Sequence, residues 1–140
     1  MTAAMARRAP RGSLGVAESI CESVAHMAEA LSLKAIAVFT QSGSSARLIS
    51  KYRPRVPVYA FSPLPAINRR TELYWGVTPV LMGRVTSTER MVEGAAARLR
   101  EIGAARTGDY IAVIAGTPIA HRGTTNLLKV HRVEKGDRRS

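Results

Sequence analysis

Two continuous apolar runs, Ala35–Phe39 and residues 111–115, organise the hydrophobic pattern of the chain. Runs of this length without polar alternation predict strands covered on both faces, as in a parallel sheet. Before the first run, Val16, Ile20, Val24, Met27 and Leu31 step by three or four and predict a helix over residues 14–33, with Glu18, Glu22 and Glu29 mostly off its apolar stripe. After it, Ala46, Leu48, Ile49 and Tyr52 predict a short helix that starts at Ser44 or Ser45 with a serine cap. Pro54 disfavours helical geometry in Arg53 and ends that helix. Val56, Val58, Ala60 and Phe61 predict a second strand, with Pro57 tolerable only near its start.

Ser62 followed by Pro63 predicts a hydroxyl cap and a first-turn proline. The helix they open should carry Ile67, Arg69, Arg70, Leu73 and Tyr74 as far as Trp75, where Gly76 stops it and the indole serves as a packing anchor. Residues 77–82 predict a third strand containing Pro79, and the Thr86-Ser-Thr-Glu89 stretch fits a capping box. The next helix places Met91, Val92, Ala95, Leu99 and Ile102 on one face and stops at Gly103. Gly108 and Asp109 turn the chain into the second apolar run, and residues 126–133 alternate imperfectly, as an edge strand does.

Strands alternating with helices define an α/β fold with right-handed crossovers between parallel neighbours. Placing the two apolar strands side by side at the centre predicts a three-layer α/β/α domain with a five-stranded mixed sheet of order 3-2-1-4-5. Only a loop separates the last two strands, so the last is expected to be antiparallel at an edge. Ligands of such sheets bind at the carboxyl ends of the strands, where the strand order reverses.

The charge changes this picture little. The 21 basic and 10 acidic residues give +11, which raises nucleic acid as a partner. Much of the excess lies at the ends, in Arg7, Arg8 and Arg11 and in Lys135, Arg138 and Arg139. The remaining basic residues are scattered without interleaved aromatics, which argues against a nucleic-acid surface. Residues 1–13 read as a disordered basic leader, 14–133 as one domain and 134–140 as a polar tail. Cys21, alone of its kind, excludes an internal disulfide framework and a Cys-rich metal site, and falls where a small buried residue fits. No apolar run approaches transmembrane length and no secretory segment opens the chain, so a cytoplasmic protein without a membrane partner is expected.

Candidate chemistry gathers in two loops. Thr40, Ser42, Gly43, Ser44 and Ser45 follow the first apolar strand, and Gly116 and Thr117 follow the second. A strand, a small polar turn and a helix N-terminus can bind phosphate through unpaired N–H groups and the helix dipole. An ordinary capped turn has the same pattern. His26, His121 and His131 lack metal-ligand spacing, Asp109 suits its turn, and Ser42 and Ser44 have no evident base. No catalytic residues, metal ligands or cofactor are therefore assigned.

Three stretches carry a resemblance: SLKAIAVFTQSGSSARLISKYRPRVPVYAFSP, ELYWGVTPVL and GDYIAVIAGTPIAHRGTTNLLKVHRV. Together they closely resemble the C-terminal α/β domain of pyruvate kinase, with SKYRP, WGV-P and GTTNLLKVHRV the most specific parts. The resemblance implies a five-stranded mixed sheet and a regulatory role. It also implies that the catalytic (β/α)8 barrel, the lid domain, the catalytic lysine and the metal-binding carboxylates lie elsewhere, so that this chain alone does not transfer phosphoryl groups from phosphoenolpyruvate to ADP. In relatives regulated by sugar phosphates, the loop matching residues 40–45 holds an effector phosphate. The resemblance carries that role to Thr40, Ser42 and Ser45, with Gly43 shaping the turn. Such relatives often have basic residues where this chain has Gln41 and Ser44, which weakens the case for fructose 1,6-bisphosphate and leaves a sugar monophosphate, a nucleotide monophosphate or inorganic phosphate open. Arg90 and Arg122 are candidates to supply the missing charge. Two functions compete: a non-catalytic regulatory or interaction module, and a separated C-terminal segment that partners a pyruvate kinase barrel polypeptide. The family's assembly further implies a homo-oligomer.

Overall fold

The two apolar runs lie side by side and parallel inside one five-stranded sheet. A computed structural model describes residues 12–40, 43–85, 87–115 and 127–137 of the chain. The strands are β1 (Ala35–Phe39), β2 (Val58–Ser62), β3 (Val77–Leu81), β4 (Tyr110–Ala115) and β5 (Leu127–Arg132), in the order β3-β2-β1-β4-β5. The helices are α1 (Gly12–Ala30), α2 (Ser44–Lys51), α3 (Pro65–Thr71) and α4 (Thr88–Glu101). β1 pairs in parallel with β2, Ile36 opposite Val58, and with β4, Ala35 opposite Ile111. β5 runs antiparallel to β4, Tyr110 opposite Arg132 and Ala115 opposite Leu127.

Burial on both faces explains the unbroken apolar strands. Ala35 and Ala37 of β1, with Ile111 and Val113 of β4, face Met91, Ala95 and Leu99 of α4. Ile36, Val38, Ala112 and Ile114 face the other way, onto Cys21, Val24 and Ala28 of α1 and Ala46 and Ile49 of α2. A pleated strand sends alternate side chains to opposite faces, so helices on both sides require apolar residues at every position. Pro79 is accommodated because β3 is an edge strand.

Several local expectations need correction. α1 ends at Ala30, and its buried face is Ala17, Cys21, Val24 and Ala28, whereas Val16 and Leu31 of the expected stripe are exposed. Small side chains let the helix lie close to the sheet, and counting only large apolar residues turned the face away from them. Burial pushes the Cys21 thiol up to about 12, with a further contribution from the Glu18 charge. Ser62 does not cap a helix at Pro63: its hydroxyl accepts a hydrogen bond from the Leu64 N–H at 3.1 Å, and α3 begins at Pro65 with Leu64 as N-cap. α4 is capped by Ser87, whose hydroxyl accepts from the Arg90 N–H at 3.1 Å, one residue beyond the expected cap. Ile102 of the expected face is exposed, beyond the last helical residue.

Trp75 is the largest departure. α3 stops at Thr71, so the indole lies in the turn before β3 and is 53% exposed instead of buried as an anchor. The Arg53 guanidinium lies 4.5 Å from the ring centroid, and the Trp75 carbonyl accepts a hydrogen bond from the Ser50 hydroxyl at 2.8 Å.

Candidate functional site

β1 and β4 are parallel neighbours, so Phe39 and Ala115 end at the same edge of the sheet. The chain order reverses here: β2 and β3 extend to one side of β1, and β4 and β5 to the other. The candidate loops leave from this edge. Gln41, Ser42 and residues 116–126, including Gly116, Thr117 and Arg122, lie outside the described residues.

Thr40 continues the sheet by one bond, its N–H donating to the Phe61 carbonyl at 3.0 Å. Its buried hydroxyl accepts a hydrogen bond from the Gly43 N–H at 2.7 Å, which closes the turn. Gly43 is the N-cap of α2 at φ 92°, a left-handed conformation that glycine adopts without steric penalty. The expected serine cap is absent: no side chain caps the helix, and the αL glycine and the Thr40 hydroxyl together form its entry. The Gly43 carbonyl accepts the first helical bond, from the Arg47 N–H at 3.0 Å. The first turn of a helix leaves its N–H groups outside its own ladder, and the positive end of the dipole lies there. Of the two serines in that turn, Ser44 is exposed and Ser45 is buried.

α3 and the turn after it bring further residues beside Gly43. A methyl group added at Gly43 would lie 3.7 Å from Cδ of Arg70, 3.7 Å from the Tyr74 hydroxyl and 3.9 Å from Cγ2 of Ile67. The stem of Arg70 therefore packs beside the turn. The spacing of Ile67 and Arg70 along α3 does not point to Gly43, and Tyr74 lies in the turn after that helix. Arg90, by contrast, sits in the exposed first turn of α4. Phe39 and Phe61 stack beneath the strand ends, 5.0 Å between centroids and 15° between planes, which stiffens the platform. Backbone N–H groups at a helix N-terminus, together with hydroxyls, are the chemistry that suits a small oxyanion.

The sequence matches the family described as pyruvate kinase, alpha/beta domain, over residues 18–131. The chain belongs to that family. It is 43% identical over 111 residues to a pyruvate kinase of Staphylococcus aureus strain USA300, a match covering 79% of this chain and 19% of the relative. A Staphylococcus epidermidis pyruvate kinase is 42% identical over the same length, with the same coverage. A crystal structure of a pyruvate kinase from Cryptosporidium parvum superposes with a TM-score of 0.76 at 29% identity, covering 84% of this chain and 23% of that one. The chain thus spans about a fifth of the length of the curated pyruvate kinases it matches, and what it shares with them is the C-terminal α/β domain. Among the described residues, no helix is long and apolar enough to cross a membrane.

Proposed function

We propose that this pyruvate kinase α/β domain is a non-catalytic regulatory or interaction module that holds a phosphorylated metabolite at the loops after β1 and β4. The observation that carries the reading is the entry to α2, where a left-handed Gly43 locked by Thr40 meets the stem of Arg70. In this reading Thr40 and Gly43 shape the turn. Ser42, Ser44 and Ser45 offer hydroxyls and N–H groups, and Gly116 and Thr117 close the site from the β4 side. Arg70 supplies the charge that Gln41 and Ser44 do not, which favours a ligand with a single phosphate, a sugar monophosphate or a nucleoside monophosphate. A ligand at a hundred times its Kd stabilises a fold by about 2.7 kcal/mol, so thermal unfolding in the presence of inorganic phosphate, glucose 6-phosphate, ribose 5-phosphate, AMP and fructose 1,6-bisphosphate tests the proposal.

A second reading makes the chain the C-terminal segment of a pyruvate kinase whose catalytic barrel is elsewhere. The coverage of one domain at 43% identity favours it. Its test is reconstitution: phosphoryl transfer from phosphoenolpyruvate to ADP by a barrel polypeptide that rises on adding this chain. Both readings include self-association, because the outer edge of β5 presents backbone groups that another strand can pair.

A further inference from the structure

Beyond the family match, which ends at residue 131, the chain does not simply run out into solvent. Val133 is fully buried, its N–H donating to the Asp109 carbonyl and its carbonyl accepting from the Gly108 N–H, each at 2.8 Å. A turn follows in which the Asp137 N–H donates to the Glu134 carbonyl at 3.2 Å. The Asp137 side chain is 6% exposed, and its Oδ2 accepts a hydrogen bond from the Glu134 N–H at 2.8 Å. His131, on β5 itself, places Nε2 at 3.1 Å from Oδ2 and 3.2 Å from Oδ1 of the same carboxylate. Arg100, in the last turn of α4, donates through Nη1 to the Glu134 carbonyl and through Nη2 to the Asp137 carbonyl, the latter at 3.3 Å.

We infer that residues 133–137 form a clasp that fastens the edge strand β5 to α4, with Arg100 and the His131–Asp137 pair as its two fixings. A buried carboxylate is tolerated only when it is paired and hydrogen-bonded, so the fixings act together: Asp137 stays buried only while the turn is closed. One guanidinium spanning two carbonyls of a tight turn holds both ends of that turn against the helix. β5 needs such a device. Among the described residues it pairs on one side only, and it follows residues 116–126, which include the candidate ligand residues Gly116 and Thr117. The clasp keeps the strand in register from its far end, whether or not its outer edge is paired. This inference does not depend on a ligand at the α2 entry.

Hydrogen exchange read by mass spectrometry on the full chain tests it. In Asp137→Asn and in Arg100→Lys, which keeps a charge but cannot span two carbonyls, the β5 amides should exchange about tenfold faster than in the parent protein, while β1 and β2 amides keep their rates. The double variant should lie close to the single ones, because both fixings close one turn. Unchanged β5 exchange in both single variants would overturn the inference. So would equal acceleration in β1, β2 and β5, since the turn would then support the whole domain and not the strand.

Discussion

The Thr40 hydroxyl accepts its hydrogen bond from the Gly43 N–H at 2.7 Å, inside the protein. One bond thus links the end of the central strand to the N-cap of α2. Thr40→Val keeps the shape and removes the acceptor, leaving a buried N–H without a partner. The expected loss is roughly 1–3 kcal/mol in urea unfolding. Thr40→Ser keeps the hydroxyl and should recover most of it. Equal stability of the parent and Thr40→Val would show that the turn closes without this bond.

Trp75 should be a minor contributor to stability. With the ring 53% exposed and Arg53 lying over it, Trp75→Ala removes a surface cation–π contact and part of the apolar area of a half-covered ring. The expected cost is roughly 1–2 kcal/mol, well below the ~3–5 kcal/mol typical of a fully buried aromatic. A loss in the larger range, measured by denaturant midpoint and slope, would place the indole inside a packed interface.

The proposed self-association rests on the edge strands. Among the described residues no strand pairs with the outer side of β5, and like surfaces meet most simply across a two-fold axis. Sedimentation at tens of micromolar protein is expected to give a dimer or larger species. A strictly monomeric mass would remove this expectation.

The architecture was legible because each central strand reports both of its faces. Ile36 and Val38 could be apolar only if a helix lay on one side, and Ala35 and Ala37 only if another lay opposite. Strand order followed from placing the two apolar strands side by side at the centre, and the antiparallel last strand from the short connection before it. Helix ends were harder to read, because several residues could serve each role. Ser62 and Pro63 form a plausible helix start, but Leu64 and Pro65, two residues later, form the actual one. The error at Trp75 follows from a helix drawn past Thr71. At the candidate site the turn was readable from Gly43, a small residue between hydroxyls. Arg70 was not, since its place beside Gly43 depends on a contact between two helices and not on spacing within one.

That contact gives Arg70 a separable role. Arg70→Gln keeps a polar stem beside Gly43 and removes the charge. Measured against each protein's own unliganded midpoint, the stabilisation by a phosphorylated compound should fall by more than half. Stabilisation unchanged in Arg70→Gln would mean that the guanidinium does not reach the ligand.

The anion site itself is tested most directly by one comparison of unfolding midpoints, with and without the most stabilising phosphorylated compound, in the parent protein and in Ser44→Asp. Ser44 suits the test better than Ser45, because it is exposed in the first turn of α2, whereas a carboxylate at Ser45 would be buried. An acidic residue in that turn is favoured by the helix dipole, so the variant should fold as stably as the parent. Its carboxylate should repel the phosphate, and the ligand-induced rise in midpoint expected in the parent should vanish at equal ionic strength. The account is contradicted if no phosphorylated compound raises the parent's midpoint, or if Ser44→Asp retains the full rise.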